Sequence, residues 1–309
     1  MRVVFLGSGA FAIPSLDALL AAGHDVAAVV TQPDKEKGRG RALAPPPVKP
    51  AALAHGLTVL QPRRIKAPEA LETLRACRPD VQVVVAYGQI LPRAVIDLAP
   101  RGTVNVHGSV LPRYRGAAPV QWAIVRGETE TGVSTMLIDE GLDTGPVLLT
   151  RTTPIQASDT ATDLEERLAR LGAELLVETL ARLEAGTVLP VPQDHRLATY
   201  APLLRKEDGR VDWTQTAEAI ERRVRGLHPW PGSVTAFAGR ELKVLRARTE
   251  AGGDAEPGTV VAVDRDGVVV ACGEGSGLRL LEVQPESRRP MPAAAFAAGA
   301  RLQPGVRLG

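Results

Sequence analysis

The chain has few aromatic residues. They make up 3% of 309 residues, which argues against a single-strand nucleic-acid platform of stacked rings. Cysteine is scarcer still. Cys77 and Cys272 stand far apart, with no Cys-x-x-Cys pair and no histidine at metal spacing. No metal site is expected, and a reducing compartment is the natural one. Neither sign of charge dominates: 37 Lys and Arg face 35 Asp and Glu, a net of +2. That balance excludes bulk attraction to nucleic acid and leaves only local patches to bind it. No apolar run reaches the ~20 residues that span a bilayer. The chain opens on Arg2-Val3-Val4-Phe5-Leu6-Gly7, a strand pattern and not a basic-then-apolar leader. We expect a soluble cytoplasmic protein, with no membrane and no obligate protein partner indicated.

The length suits two domains at ~150 residues each, and an apolar fraction of 44% supplies their cores. Val3–Leu6 ends at Gly7-Ser8-Gly9. Pro14, Leu16, Leu19 and Leu20 then fall at helical spacing, Gly23 stands at a left-handed cap, and Val26–Thr31 is a second strand. This βαβ start predicts a parallel sheet. Gly7-x-Gly9 with Ala12 partly imitates a dinucleotide fingerprint. The second strand ends in Thr31-Gln32-Pro33 without an acid for a ribose, so a tight strand-to-helix turn is the better reading. Val81–Ala86 reads as a buried parallel strand ending at Tyr87-Gly88-Gln89-Ile90-Leu91-Pro92, and the carboxyl ends of such strands line ligand crevices. A helix is predicted over Asp163–Leu183, capped by Thr162 or Ser158.

Asn105-Val106-His107 carries the chemistry. In a strand, residues i and i+2 share a face, so the carboxamide and the imidazole project together. An amide can donate to a developing oxyanion and an imidazole can move a proton near pH 7, the minimum for acyl transfer to an amine. On these residues alone, a structural histidine at a strand end is the commoner case. A second segment shifts the balance: the apolar run Val133–Ile138 ends in Asp139-Glu140-Gly141-Leu142-Asp143-Thr144-Gly145. Asp143 can orient His107, although an Asx-turn would explain it as well.

Gln32 to Lys49 is too rich in Pro and Gly for a helix and too polar for a core strand, so a long loop is expected. Its Arg39 and Arg41 offer forked donors for phosphate, and an ordinary solvated loop is the alternative. Gly38 and Gly40 are costly to fix, so disorder of this loop without a partner is expected. Residues 189–206 are Pro-rich and weakly periodic, as in a linker between domains at 1–188 and 207–309. Beyond it an amphipathic helix, Ala217–Leu227, stops at His228-Pro229-Trp230-Pro231-Gly232, with Trp230 expected as a packed corner. Strands follow at Ser233–Phe237, Leu242–Ala247, Gly258–Asp264, Gly267–Cys272 and Leu278–Val283, which suggests a small barrel.

Asn105-x-His107, the loop Ser109-Val110-Leu111-Pro112-Arg113-Tyr114-Arg115-Gly116-Ala117-Ala118-Pro119 and the turn Asp139–Gly145 resemble, in order and spacing, the motifs of the folate-dependent formyltransferases. Val110, where that family usually has Leu, is the one departure. Within the family the chain looks like the branch that formylates methionyl-tRNA, because of its Gln32-Pro33-Asp34, Gly38-Arg39-Gly40-Arg41 and Pro47-Val48-Lys49 pattern. The resemblance implies a Rossmann-like parallel-sheet α/β domain followed by an OB-like β-barrel domain. It implies transfer of a formyl group from 10-formyltetrahydrofolate to initiator methionyl-tRNA, without a metal. It implies catalytic Asn105, His107 and Asp143, and folate binding by Gln89, Ile90, Leu91, Ser109, Val110, Leu111, Pro112 and Asp139. Binding of tRNA falls to Arg39, Arg41, Lys49 and Lys206. Glycinamide ribonucleotide and sugar-nucleotide formyltransferases, a dinucleotide-dependent dehydrogenase and a catalytically silent tRNA-binding protein are the alternatives.

Overall fold

A computed structural model describes residues 1–37 and 42–309, which fall into two units. The first comprises Met1–Pro119, Glu130–Thr153 and Glu165–Ala201. Its sheet has seven strands in the order Val147–Pro154, Glu130–Leu137, Thr103–His107, Val81–Val85, Arg2–Gly7, Asp25–Val30 and Val59–Leu60. The five strands from Thr103–His107 to Val59–Leu60 are mutually parallel. Glu130–Leu137 runs antiparallel to Thr103–His107, a reversal that a βαβ pattern does not contain.

The period of two sorts the central strands onto two buried faces. Val3, Phe5, Val81, Val83, Val104 and Val106 pack with Leu16, Leu19, Leu176 and Leu180 from the helices Ile13–Ala21 and Ala161–Glu184. Val4, Leu6 and Val84 face the other way, onto Ile65, Leu74, Tyr87 and Val95. The first strand-to-helix turn is tight, as expected: Ser8 Oγ donates to Tyr87 O at 2.9 Å and accepts from Gln32 N at 3.1 Å. The long helix is capped neither by Thr162 nor by Ser158. Thr160 does so, its Oγ1 accepting from Asp163 N at 3.3 Å while Asp163 Oδ2 accepts from Thr160 N at 2.9 Å. The reciprocal pair satisfies helix N–H groups that neither neighbouring hydroxyl engages.

The second unit comprises Val120–Thr129, Pro154–Leu164 and Pro202–Gly309. Its sheet is antiparallel, in the order Ser233–Phe237, Arg240–Ala251, Ser276–Pro285, Gly267–Ala271 and Val260–Asp264, with Met291–Pro292 added on Ser276–Pro285. The barrel expectation is met as a separate antiparallel sheet. Ile220 and Val224 of helix Ala217–Gly226, and Ala293 and Ala297 of helix Ala293–Ala300, complete its core. The second helix has no signature in the sequence because an alanine-rich segment has no polar face to set a period. Trp230 is a correction: it is exposed and packs no corner.

Arg279, buried in the middle of this sheet, donates to Glu250 at 2.8 Å and to Asp264 at 2.7 Å. These hydrogen bonds hold both carboxyls below their usual range. Groups depressed in the fold stabilise it above their unfolded values, near 4, and lose that effect as pH falls through the folded values. Thermal melting of the second unit is therefore expected to drop between about pH 5 and strongly acid solution, and the Arg279→Leu variant is expected to lose part of that acid sensitivity. An identical acid dependence in the variant would contradict the assignment.

Candidate active site

Asn105 and His107 are the third and fifth residues of strand Thr103–His107, in register with Met136 and Ser134 of its antiparallel neighbour. The pleat puts both side chains on one face. Asn105 is half-buried, and among the described residues its carboxamide has no hydrogen-bond partner. His107 is buried. Its Nε2 lies 2.9 Å from Tyr114 O, and a carbonyl only accepts, so that nitrogen carries hydrogen. Its Nδ1 faces Asp143 Oδ2 at 3.7 Å, an ion-pair separation longer than a hydrogen bond. Ring and carboxylate are thus brought together, with the amide on the same strand face as the ring.

The Asp139–Gly145 turn holds Asp143 by local bonds. Asp139 Oδ1 accepts from Gly141 N at 3.0 Å and from Thr144 Oγ1 at 2.6 Å. Asp143 adopts the left-handed φ of 52°, and its Oδ2 accepts from Gly116 N at 2.8 Å. A Cβ at Gly145 would lie 1.8 Å from Leu137 O, so only glycine lets the turn fold back against its own strand.

The loop after His107 is closed by its own polar groups. Ser109 Oγ donates to Arg113 O at 2.6 Å, and Ser134 Oγ donates to Ser109 O at 2.8 Å while accepting from Leu111 N at 3.1 Å. Ser109 and Leu111 are buried, and Val110 and Pro112 are partly so. Gln89 is used locally as well: it accepts from Ile65 N at 2.9 Å and donates to Pro62 O at 3.2 Å. Leu91 packs on the core, whereas Ile90 is 94% exposed and is no core residue. Neighbouring Tyr87 is buried, which pushes its phenol up to about 12. A cleft of about 510 Å³ lined by Val30, Leu60, Arg63, Arg64 and Leu74 contains none of the expected site residues.

Arg39 and Arg41 lie outside the described residues. The loop expected over Gln32–Lys49 is more regular than its composition suggests, since Lys35–Lys37 pairs antiparallel with Ala42–Ala44 and a helix starts at Val48. Lys49 is no free cation: its Nζ sits 2.9 Å from Asp34. Hydrogen bonds from Gln61 and then Lys49 hold the Asp34 carboxyl below its usual range. Lys206, in the second unit, is exposed.

One part of the site has no signature in the sequence. The first part of the stretch 189–206 is a strap within the first unit. Val191 and Val147 exchange two backbone bonds of 2.8 Å, Thr199 O accepts from Arg115 N at 2.9 Å, and Ala201 O accepts from Ala117 N at 2.9 Å. Inside it, Gln193 bonds to both Arg115 and the Asp143 turn. Proline content suggests a tether; the polar run Gln193-Asp194-His195 is the only local signal against it. Among the described residues, no group of three His, Cys, Asp or Glu side chains is placed to hold a metal ion. None of their helices is long and apolar enough to cross a membrane.

A mostly parallel α/β unit, with an imidazole and a carboxylate paired beside the strand that carries Asn105, is followed in the chain by an antiparallel-sheet unit. The chain belongs to the formyltransferase family: residues 1–180 match the formyl transferase model and residues 203–301 the formyl transferase C-terminal domain. Similar proteins include the methionyl-tRNA formyltransferase of Solibacter usitatus, 56% identical across all of this chain and 99% of that protein. Another is the methionyl-tRNA formyltransferase of Citrifermentans bemidjiense, 51% identical across all of this chain and 96% of that protein. In fold, the chain is similar to HypX from Aquifex aeolicus, solved in complex with tetrahydrofolic acid, with a TM-score of 0.66 and 21% identity. That match covers 96% of this chain, which spans about half the length of HypX (47%).

Proposed function

We propose that the protein transfers the formyl group of 10-formyltetrahydrofolate to the α-amine of initiator methionyl-tRNA in the cytoplasm. The observation that carries the reading is the 3.7 Å approach of His107 Nδ1 to Asp143 Oδ2, with Asn105 on the same strand face as His107. The whole-length similarity to methionyl-tRNA formyltransferases supports the choice of acceptor.

The neutral amine adds to the formyl carbon, forming the new N–C bond and moving the carbonyl electron pair onto oxygen. Asn105, whose donor has no other described partner, meets that oxyanion. His107 assists as a protonated ring. Its Nε2–H is held by Tyr114 O, which leaves Nδ1–H for the charge that develops near Asp143. Asp143 takes the proton released by the amine and passes it to the folate nitrogen as the old C–N bond breaks and its electron pair returns to that nitrogen. The folate is received by the segments Gln89–Leu91, Ser109–Pro112 and Asp139–Asp143. Gln89, Ser109 and Asp139 have side chains engaged within the protein, so these segments offer mainly backbone groups.

The test is incubation with charged initiator tRNA and the formyl donor. Blocked methionine amine and tetrahydrofolate should appear in equal amounts; tRNA binding without folate turnover would refute the reading.

Recognition of the tRNA falls to Arg39 and Arg41, between Lys37 and Ala42 in the chain, and to Lys206. The Arg39→Ala/Arg41→Ala variant is expected to raise KM for methionyl-tRNA without changing KM for the formyl donor. The slope of log affinity against log salt should fall by roughly 1 for each phosphate no longer engaged. Lys49→Ala is expected to act indirectly, by freeing Asp34 beside the hairpin strand Lys35–Lys37. A salt slope unchanged in the arginine variant would remove this segment from the interface.

A further inference from the structure

Arg115 is 1% exposed, yet no described carboxylate pairs with it. Its partners are neutral. Nε and Nη2 donate to Gln193 Oε1 at 3.1 and 2.7 Å, and Nη1 donates to His195 Nδ1 at 3.1 Å. The other end of the same carboxamide is equally occupied: Gln193 Nε2 donates to Asp143 O at 2.9 Å and to Gly145 O at 2.7 Å. The amide orientation is therefore fixed by chemistry, because its oxygen meets only donors and its nitrogen only carbonyls. The cationic partner polarises the amide and strengthens its N–H donors.

These bonds close a ring. Arg115 reaches Asp143 through Gln193, and the next residue, Gly116, returns to Asp143 by donating its N–H to Oδ2 at 2.8 Å. Asp143 is therefore gripped at its backbone carbonyl by Gln193, itself held by Arg115, and at its carboxylate by Gly116, the residue after Arg115. A left-handed φ of 52° at a non-glycine residue is a costly conformation that persists where surrounding bonds over-determine it, and this ring supplies them.

We propose that Gln193 is a positioning residue for the reaction: bridging the buried Arg115 to the Asp143–Gly145 turn, it fixes the distance between the Asp143 carboxylate and His107. The proposal rests on the assignment of Asp143 to catalysis made above. Gln193 touches no reacting atom. Only a side chain that accepts at one end and donates at the other fits this place. Glutamate would keep the bonds to Arg115 but turn an oxygen toward two carbonyls, so Gln193→Glu preserves the anchor and breaks the grip on the turn.

The experiment compares wild type, Gln193→Glu, Asp143→Ala and the double variant in steady-state and single-turnover formyl transfer. For Gln193→Glu, kcat should fall about 10- to 100-fold, as expected when a reacting group is misplaced by about an ångström. KM for both substrates should stay within about twofold. In the Asp143→Ala background, Gln193→Glu should cost nothing more, because its effect passes through that carboxylate. A wild-type kcat in Gln193→Glu overturns the proposal, as does a full additional loss in the double variant, which would mark a purely structural role. If Gln193→Glu fails to fold, Gln193→Ala goes through the same cycle. Asp143→Ala turning over at the wild-type rate would instead defeat the catalytic assignment itself. A slow Asp143→Ala beside a normal Gln193→Glu defeats only the positioning role of Gln193.

Discussion

Asn105→Ala is expected to lower formyl transfer roughly 10²–10³-fold, the usual loss when one donor to an oxyanion is removed. The substitution should leave the fold intact, because the carboxamide makes no hydrogen bond to any described residue and is only half-buried. Asp143→Ala is expected to lose formylation as well, for a different reason. It removes the acceptor facing His107 Nδ1 and releases Gly116 N from its 2.8 Å bond. For both variants the loss should lie in kcat, since neither group is required to hold the ground state. Circular dichroism and thermal melting near wild type, combined with slow single-turnover transfer, would meet the expectation. Near wild-type turnover in either purified variant would defeat the assignment.

Gly145→Ala is expected to have the second large effect. The added methyl would stand 1.8 Å from Leu137 O and 3.3 Å from Asp139 N, both backbone atoms that no rotamer change can move aside. The turn must then shift as a body and take Asp143 away from His107. Overpacking of this kind destabilises by about 1–3 kcal/mol, and a shift near an ångström costs on the order of 10² in rate. Melting temperature and kcat should therefore fall together. Gly299→Ala is the matched control. Its methyl meets no atom within 4 Å on the helix Ala293–Ala300, and the change should stabilise that helix by about 1 kcal/mol. A Gly145→Ala protein with normal melting and turnover would show that the turn is not a rigid support for Asp143.

Much of the molecule is legible in the sequence because local chemistry and tertiary packing agree there. Val3–Leu6 and, apart from the buried Gln82, Val81–Val85 are apolar on both faces and become central parallel strands. Asp264 and Gly267 punctuate a hairpin whose Asp264 Oδ1 accepts from Asp266 N and Gly267 N. Asn105, His107 and Asp143 are legible through the i, i+2 rule and a turn motif, and the structure sets His107 and Asp143 3.7 Å apart. Other features depend on partners distant in sequence. Proline in Val188–Pro192 signals an extended chain but not what lies beside it. The strap role of 191–201 comes from bonds to Val147, Arg115 and Ala117 that no local pattern encodes. Lys49 reads as a free cation until Asp34 is placed 2.9 Å away. Trp230, between its two prolines, reads as a packed corner, yet it stands exposed.

The most direct measurement of the central claim is a structure of the protein with a formyl-bearing tetrahydrofolate analogue and the methionyl end of the acceptor. The account predicts a formyl oxygen within about 3 Å of Asn105 Nδ2 and the His107 ring, with the Asp143 carboxylate within reach of the attacking nitrogen directly or through one water. A formyl group bound elsewhere, with these three side chains facing empty solvent or one another alone, would contradict it.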